Sequence, residues 1–554
     1  QPAVVFDYLA QEVFDQQPPE LQSFLLHTAV LERMTPSLCE ALFQPAPVLP
    51  GAPPLPAGAG RAWLQRLVRA QLFVAQLDAK GEWFRYHPLM AEFLRARLAA
   101  GPPQPAQRLH QRASDWFAAA GDQSAAVEHA LLAADFARAA ELLPPAIDEC
   151  LRTGQNQTAL HWLQTMPDAL IRANRPLCLL AAWVYMLHQR LPQADAYIEA
   201  AQAGSDPPLG HLALLRCEVA RQRGDLAAAA GLARQALAAL PEGWPSLRAL
   251  AGVNLGQVCY ETGDWPGLMA ALTEARRWAS PRDHPAIYSR LAVLLAPALV
   301  MAGQPHQAAS LLHDGLEHLP SPASLRLFQR FAHRLLAQIA LERNDLAQAA
   351  EHAESCLRLT PAAYRALWAE SLLLCAQVQL ASGHPPAARG LLTQALAALP
   401  PGLEPGARGR LAARAARLWL GLDDLAAAER AFQPPEPGQP HYRIAQETFT
   451  LARLHLARGH CQAALALLEH ALAAAQADGR PAHTAEALAL IALAWQAAGD
   501  QAASLASLEQ AVQAAEPAGQ VRLFIDEGQP MRALLHALAA ARPAASSYAA
   551  RLLG

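Results

Sequence analysis

The residues of this chain that could do chemistry are dispersed, and none of them is arranged as a catalytic site would require. Neither a G-x-S-x-G nucleophile motif nor an H-E-x-x-H metal motif occurs in the sequence. The carboxylate pairs Asp423-Asp424 and Asp526-Glu527 fall near turns or ahead of a proline, where capping of the following helix explains them. We therefore predict that this chain is not an enzyme.

The eight cysteines lead to the same prediction. They are scattered from Cys39 to Cys461, with no C-x-x-C motif and no histidine cluster at metal-binding spacing. Scattered thiols of this kind are typical of reduced, mostly buried cysteines in a cytosolic protein. The sequence also has no signal peptide and no apolar run long enough to span a membrane. We expect a cytoplasmic protein without a metal site or a membrane contact.

Polar and aromatic side chains recur shortly before a series of turn residues, and these are the candidates for ligand binding. Positions 2, 3 and 6 before each turn residue, with others a turn earlier, fall on one helix face. Polar groups beside a ring suit a small polar ligand, whereas an ordinary solvated face is the alternative for any single residue. The predicted ligand-binding residues are Trp183, Glu218, Arg221, Asn254, Gln257, Tyr260, Glu261, Arg290, Arg334 and Gln338, with Gln222, Glu370, Gln377 and Arg417 as further candidates.

The composition indicates that these side chains are carried by helices. The sequence is 53% hydrophobic but only 6% aromatic, and its apolar residues are mostly alanine and leucine, which favour helices, rather than β-branched residues. The net charge is −4, lysine is nearly absent, and no Lys/Arg run forms the basic stripe of a nucleic-acid interface. An all-α chain that does not itself bind DNA or RNA is therefore expected.

A glycine-aspartate corner recurs along the chain at an almost fixed period. From Gly224 onward the intervals between corners are 39, 40, 41, 39, 40, 36 and 40 residues, which is typical of a solenoid. Glycine or asparagine at the corner can end one helix, and the adjacent aspartate can cap the next. A small alanine five residues later lets the two helices approach closely. Because one helix pair cannot bury its apolar stripe alone, the pairs should stack around a concave groove.

The first hundred residues follow a different order. Val74 and Leu77 precede a Lys80-Gly81 turn, and Trp83 and Tyr86 follow it, which predicts a β-hairpin. Helices lie before this hairpin and another follows it, an order typical of a winged-helix module. Residues 44–60 are rich in proline, glycine and alanine and should form an exposed loop.

The repeat resembles the tetratricopeptide motif, most clearly where Leu255-Gly256 is followed by Gly263-Asp264. Its period of about 40 residues exceeds the usual 34 of that motif. The longer version is similar to the sensor of MalT-type regulators, which are LuxR-terminated transcriptional activators of the STAND class of ATPases. Segments 8–42, 67–98, 156–187 and 521–535 look like successive parts of that family, so the resemblance covers essentially the whole chain.

The resemblance implies an all-α fold with an N-terminal winged-helix module and a right-handed TPR-like superhelix of helix pairs. Its implied domains are a winged-helix domain (1–103), a helical connector (104–150), a superhelical sensor (151–515) and a C-terminal linker helix (516–554). The phosphate-loop motif G-x-x-x-x-G-K-[S/T] is absent. We therefore expect the ATPase and DNA-binding domains to be missing here, with no cofactor in this chain and ATP or ADP in the full-length protein.

By this resemblance, the chain is the effector-sensing and regulatory portion of a transcriptional activator. A small-molecule inducer or a regulatory protein would bind in the superhelix, DNA would be contacted only through the missing C-terminal domain, and the active full-length protein would self-associate. The alternative is a TPR scaffold for protein partners without a small ligand. A clamp for peptide carboxylates needs clustered Lys, Arg and Asn, and here the arginines are dispersed.

His87 is the single residue to which the resemblance assigns a nucleotide contact. In STAND proteins a winged-helix histidine at the start of a helix contacts the β-phosphate of ADP, and His87 in Tyr86-His87-Pro88 matches that position. An imidazole at a helix N-terminus suits a phosphate. The alternative is a histidine that simply packs at the corner between hairpin and helix.

Overall fold

The computed structural model describes residues 11–49, 51–56, 58–70, 73–153, 155–203, 208–318, 326–432, 445–541 and 546–553. The chain divides into two compact units, Gln1–Pro208 and Leu209–Gly554, and each is described by itself. Within the described ranges both units are helical, and a single two-stranded antiparallel sheet lies in the first unit.

The first unit consists of short helices around one hairpin, followed by longer paired helices. Its strands are β1 (Val74–Gln76) and β2 (Phe84–Tyr86). Its helices are α1 (Pro19–Thr28), α2 (Pro36–Ala41), α3 (Ala59–Arg69), α4 (Pro88–Ala99), α5 (Pro103–Ala119), α6 (Gln123–Leu132), α7 (Phe136–Thr153), α8 (Asn156–Thr165), α9 (Asp168–Arg172), α10 (Arg175–Leu187) and α11 (Leu191–Gln202).

Local hydrogen bonds explain why the hairpin forms where the sequence predicts it. The Asp78 carboxylate accepts the backbone N–H groups of Glu82 at 3.0 Å and Trp83 at 2.9 Å, which closes the turn. The second strand is tied to the helices because the hydroxyls of Tyr86 and Thr28, both buried, lie 2.6 Å apart. The hairpin followed by α4 confirms the predicted winged-helix order.

The second unit is a run of helix pairs joined by short corners. Its helices are α12 (Leu209–Gln222), α13 (Leu226–Ala239), α14 (Pro245–Thr262), α15 (Trp265–Arg276), α16 (Pro285–Met301), α17 (Pro305–His318), α18 (Arg326–Glu342), α19 (Leu346–Arg358), α20 (Arg365–Ala381), α21 (Pro385–Ala398), α22 (Pro405–Gly421), α23 (Leu425–Ala431), α24 (Ala445–Ala457), α25 (Cys461–Ala477), α26 (Pro481–Ala498), α27 (Gln501–Ala515), α28 (Arg522–Ile525), α29 (Gly528–Ala541) and α30 (Ser546–Leu553).

The corners have the chemistry that the repeat predicts. The residue ending each first helix takes a positive φ at Gly224, Gly263, Gly303, Asn344, Gly383, Asp423, Gly459 and Gly499. The aspartates that cap the next helix through a side-chain oxygen are Asp122, Asp225, Asp264, Asp345, Asp424 and Asp500. Left-handed geometry followed by a side-chain cap is the arrangement that stops one helix and starts another within two residues.

Small residues let the two helices of each pair approach closely. The alanines five residues after the corners, such as Ala229, Ala308 and Ala349, are fully buried. At Gly256, a Cβ atom would overlap the side chain of Leu272 on the partner helix. The Leu-Gly phrase of the repeat therefore has a packing reason, and the predicted fold class is confirmed.

The late helices of the second unit return to its early ones. Helix α26 packs against α16, and α28 packs against both α18 and α26. Gly303, at the end of α16, lies so close to Pro481 that an added Cβ would be 2.9 Å from the Pro481 ring. Because of this return, the first helices of the intervening pairs face a space that α26 and α28 border on the far side.

Candidate ligand-binding site

A cavity of about 870 Å³ lies inside the second unit. The first helices α18, α20, α22, α24 and α26 each contribute to its wall, and the stretch around α28 closes it. Apolar residues such as Leu335, Ile339 and Ile525 alternate there with carboxamides and charges. A cavity of this size with a few convergent polar groups is typical of a small-molecule site.

Arg453 is the centre of the ion pairs on the cavity wall. Its guanidinium lies 2.6 Å from the Glu527 carboxylate and 2.9 Å from that of Glu486, and its side chain is only 7% exposed. Burial alone would lower the pKa of Arg453, but the two carboxylates outweigh burial and raise that pKa. Arg453 therefore stays charged and joins three helical segments.

Residues 519–530, which we term the inserted segment, form the part of the wall that comes from the C-terminal end. The Val521 N–H donates to the Glu342 carbonyl oxygen at 2.7 Å, and the Arg522 side chain donates to the Asn344 amide oxygen at 3.2 Å. Asp526 pairs with Arg522 at 2.5 Å and approaches Arg417 at 3.9 Å. The inserted segment is thus held against the end of α18 by backbone and side chains together.

The sequence interpretation of Asp526 and Glu527 as a helix cap is wrong. Their carboxylates form ion pairs with arginines, Asp526 with Arg522 and Glu527 with Arg453. The cap interpretation failed because these arginines precede the pair by one turn and by 74 residues respectively, and no local pattern shows the second contact.

Glu342 is the carboxyl group on this wall that lacks a partner. Within the described residues, no hydrogen bond or ion pair reaches its side chain, which is half-buried. Burial raises its pKa to about 7, and the Glu486 and Asp526 carboxylates add to this rise, against the opposing effect of Arg417 and Arg522. Near neutral pH this carboxyl is therefore close to half protonated.

Glu370, on α20, has the opposite surroundings. Its carboxylate bonds to the Arg330 guanidinium and lies 3.7 Å from both Arg334 and Arg414. Burial alone would raise the pKa of Glu370, but the three guanidinium groups outweigh burial and lower that pKa to about 2. Three guanidinium groups thus surround one carboxylate, and Glu370 stays ionised without any further cation.

A third polar cluster contains several of the predicted ligand-binding residues. Glu218 is buried, with Arg221 at 2.5 Å and Gln222 at 3.0 Å on its own helix, and with Arg290 at 4.0 Å. Arg290 also donates to the Asn254 amide oxygen at 2.9 Å. The structure thus brings these residues of α12, α14 and α16 together, but they are not among the residues lining the cavity.

The other predicted residues are distributed between several places. Gln257 donates to Glu261 at 2.7 Å on the same helix, and Tyr260 packs half-buried against the apolar core. Arg334 donates to Gln338 at 2.9 Å. The predicted residues that line the cavity are Gln338, Gln377 and Arg417.

The first unit contains two further predicted residues. Trp183 lies half-buried on α10. His87 is exposed at the N-cap of α4, where its backbone N–H donates to the Phe73 carbonyl at 2.6 Å. Its nucleotide contact, like the ligand contacts of the whole predicted set, stays a prediction.

Two cavity residues that the sequence analysis missed obey the spacing rule that it used. Arg453 lies six residues before the corner Gly459, as Glu218 does before Gly224, and Glu342 lies two residues before Asn344. Both residues therefore lie on the helix face that the rule selects. It could not show which part of that face encloses a cavity.

Comparison with known proteins places this arrangement in a family. The model of the MalT-like TPR region matches residues 210–541, and that of the MalT winged helix domain matches residues 10–107. The chain belongs to the MalT-like TPR family. Both matched regions are non-catalytic, and the MalT-like region is regulatory. The domain boundaries expected from the sequence stay predictions.

The MalT-like chain is also similar to parts of longer curated proteins. It is 33% identical over 220 residues to the serine/threonine-protein kinase PknK of Mycobacterium tuberculosis, which covers 39% of this chain and 19% of that protein. It is 26% identical over 393 residues to the HTH-type transcriptional regulator MalT of Yersinia enterocolitica, which covers 68% of this chain and 41% of that protein. The chain therefore spans less than half the length of these relatives.

Solved structures similar to the MalT-like chain are more distant. The apo form of the quorum sensor NprR from B. thuringiensis is 12% identical with a TM-score of 0.37, covering 67% of this chain and 97% of that one. The STAND protein PH0952 from Pyrococcus horikoshii, which has a tetratricopeptide repeat sensor, is 13% identical with a TM-score of 0.31, covering 92% and 65%. Sequence identities and TM-scores this low do not indicate a function.

The described ranges contain no candidate for a membrane crossing or for a metal site. None of the helices there combines the length and the apolar character that a membrane crossing requires. Histidine, cysteine and carboxylate side chains do not gather there in groups of three or more that could hold a metal ion.

Proposed function

We propose that this chain is the effector-sensing portion of a STAND-class transcriptional regulator of the MalT type, and that its effector is a small molecule bound in the cavity. The observation that carries the proposal is the cavity itself, which the returning helices border and polar groups line, with Glu342 among them free of any hydrogen bond or ion pair within the described residues. A partly buried polar group without a partner favours a ligand that can pair with it.

The inserted segment gives the proposed sensor a way to report occupancy. Val521 and Arg522 contact the last turn of α18 and its corner, and Glu527 is bound to Arg453 on α24. A ligand that touches both Glu342 and this segment will favour the arrangement in which both are in place. In this proposal ATP hydrolysis, ADP contact by His87 and DNA binding all require parts of the full-length cytoplasmic regulator outside this chain.

A thermal-shift screen of the chain against sugars, organic acids, amino acids and amines tests the proposal. A ligand that binds only the folded protein raises its melting temperature. We expect at least one class to do so in the parent protein but not in Ala497→Trp, because Ala497 is exposed and lines the cavity, so an indole there obstructs part of it.

Ala502→Trp is the matched control, since Ala502 is exposed at the start of α27 and is not among the lining residues. Equal stabilisation of the parent and of Ala497→Trp by every bound compound would place binding elsewhere. Capture of a protein partner that Ala497→Trp leaves unchanged, with no small ligand found, would favour the scaffold alternative.

A further inference from the structure

Arginines outnumber carboxyl groups on and beside the cavity wall. The charged residues that line the cavity are Arg343, Arg414, Arg417, Arg453, Arg522, Glu342, Glu486, Asp526 and Glu527. Arg330 and Arg334, which are not among the lining residues, share the single carboxylate of Glu370 with Arg414. The surplus charge is therefore positive even when every carboxyl group is ionised, and it stays positive if the exposed Arg343 is left out.

Two arginines of α22 carry this surplus. Arg417 lies 3.8 Å from Glu486 and 3.9 Å from Asp526, and each of these carboxylates has a closer arginine. Arg414 lies 3.7 Å from Glu370, which is beyond hydrogen-bond distance. Within the described residues neither guanidinium donates a hydrogen bond, although their side chains are only 15% and 29% exposed. Each guanidinium therefore keeps its N–H donors for another acceptor.

The pKa of Arg414 indicates that its charge is incompletely neutralised by the protein. Burial lowers this pKa to about 10, against the opposing effect of Glu370. The positive charges of Arg334 and Arg417 add to the decrease. Arg453 is different, because two carboxylates outweigh its burial and raise its pKa. Arg414 is still charged at neutral pH, and an anion beside it would supply the missing negative charge.

Carboxamides stand beside the two arginines at one position of the repeat. Gln338 on α18, Gln377 on α20 and Arg417 on α22 each lie six residues before the corner of their pair, and all three line the cavity. Helix α20 packs against both α18 and α22, so these side chains form a row. The Gln377 carboxamide makes no hydrogen bond within the described residues, and Gln338 uses only its oxygen, which accepts from Arg334 at 2.9 Å. Amide N–H donors are thus free next to the guanidinium groups.

We propose that the cavity binds a small organic anion, whose carboxylate or phosphate group is held by the Arg414 and Arg417 guanidiniums and accepts a hydrogen bond from the Gln377 carboxamide. This inference rests on the proposed function, because it names the chemical class of the effector. Guanidinium groups suit both oxyanions, since their paired N–H donors match two oxygens of either one. Glu342, in its protonated form, can donate to a further polar group of the same ligand.

The test compares anions with their neutral counterparts. The probe pairs are glutarate with glutaramide, and glycerol 3-phosphate with glycerol, titrated calorimetrically into the 554-residue chain at neutral pH. Ionic strength is held constant, because salt screens charge interactions. At least one anion should bind about tenfold more tightly than its counterpart, or better. Binding of glutarate alone would assign the site to carboxylates, and binding of glycerol 3-phosphate alone would assign it to phosphates.

Substitution of each arginine tests where the anion is held. Arg417→Gln leaves Glu486 and Asp526 with their closer arginines, so the fold should persist while the anion binds about tenfold more weakly. Arg417→Lys keeps the charge but not the paired donors, and it should weaken the anion less. Arg414→Gln, which leaves two arginines on Glu370, should also weaken the anion about tenfold.

Arg410→Gln is the matched control. Arg410 is an exposed arginine on the same helix, one turn before Arg414, and is not among the lining residues. Its substitution removes one positive charge from α22, yet the anion affinities should equal those of the parent. Circular dichroism melting of all the variants establishes that a loss of binding is not a loss of fold.

Three results would overturn the anion proposal. They are neutral counterparts that bind as tightly as the anions, absence of binding by both anions, and anion binding that Arg414→Gln and Arg417→Gln both leave unchanged. In each case the proposed function stands if some other compound stabilises the parent protein but not Ala497→Trp. It falls if stabilisation by no compound of any class depends on that substitution.

Discussion

Glu342 and Glu370 are both glutamates on the first helices of successive pairs, α18 and α20, yet they are in opposite electrostatic states. Three arginines surround Glu370 and hold its pKa at about 2, whereas Glu342 lacks an ion pair and its pKa rises to about 7. The inner face of this array is therefore not one uniform surface. In one part of it a carboxylate is paired with three arginines, and in another a carboxyl group has no ion pair within the described residues.

The difference arises from where the late helices return. The Glu370 cluster on α20 draws its arginines from α18 and α22, which are the neighbours of α20 in the array. The surroundings of Glu342 include α26 and the inserted segment, which reach it only because the array closes on itself. Neighbouring pairs form the Glu370 cluster, whereas the cavity also requires the returning inserted segment.

Replacing Arg453 tests whether the cavity wall depends on its central ion pair, and it should have the largest effect. Arg453→Ala leaves Glu486 and Glu527 without their cation in a buried position, which should cost about 3–5 kcal/mol of unfolding free energy. Chemical denaturation of variant and parent side by side measures this. Arg458→Ala removes the nearby exposed ion pair with Glu429 and should change the unfolding free energy little. Equal losses of unfolding free energy in the two variants would show that the buried pairs of Arg453 matter no more than an exposed one.

Strong acid should remove the contribution of the Glu370 cluster to stability. The pKa of Glu370 falls from 4.5 to about 2 on folding, so its contribution is complete above pH 4.5 and is lost as pH falls toward 2. That contribution is about 3 kcal/mol. Glu370→Gln should therefore be less stable than the parent at pH 6, and the difference should shrink toward pH 2 in acid titrations followed by circular dichroism.

A constant difference between parent and Glu370→Gln across this pH range would show that the three arginines do not depend on the charge of Glu370. The Glu370 cluster would then lack the stabilising ion pairs that distinguish it from Glu342. Glu354→Gln, with an exposed carboxyl group, provides the pH-independent reference.

The sequence predicted the repeat closely because its signals are local. A left-handed residue such as Gly224 or Asn344, a capping aspartate and a buried alanine all lie within a few residues of one another. The same six-residue spacing that selected Glu218 also applies to Arg453. What the sequence could not show is which of these polar positions is satisfied by its neighbours.

The closure of the array has no signal of this local kind. Arg522 and Asn344 are 178 residues apart when their side chains meet, and no period or cap relates them. The inserted segment was expected only to lead toward another domain, whereas it forms part of the cavity wall. Contacts of this separation depend on the accumulated curvature of many helix pairs, which a single sequence does not encode in any short pattern.

Glu342→Gln should change stability with the opposite sign to Glu370→Gln. Because folding raises the pKa of Glu342 from 4.5 to about 7, the folded parent loses stability as pH rises across that interval. Glu342 is half-buried against a cavity, so we expect this loss to be about 1–2 kcal/mol. Glu342→Gln should match the parent below pH 4.5 and exceed its stability at pH 8, as measured by urea denaturation at both values.

A parent protein whose stability does not differ from that of Glu342→Gln at pH 8 would mean that Glu342 ionises without cost. The surroundings of Glu342 would then solvate its charge as well as water does. Glu342 would differ from Glu370 only in having no ion-pair partner.

The smallest expected effect concerns the hold of α18 on the inserted segment. Asn344 has a φ of 62° and accepts a hydrogen bond from Arg522 at 3.2 Å. Asn344→Gly suits the left-handed backbone and removes only that exposed bond, so the unfolding free energy should change by less than about 0.5 kcal/mol. Local opening should nevertheless become easier, because the inserted segment keeps one side-chain contact fewer.

Hydrogen exchange measures this opening directly. The amides of residues 522–526 should exchange a few-fold faster in Asn344→Gly than in the parent, while those of α20 beside Glu370 should not change. Gly383→Asn is a suitable control, since Gly383 occupies the equivalent corner with a φ of 77° and has no neighbour within 4 Å of an added Cβ. Unchanged exchange in Asn344→Gly would mean that the Val521 backbone bond and the Arg453–Glu527 pair alone hold the segment. The hydrogen bond at the Asn344 corner would then not contribute to its stability.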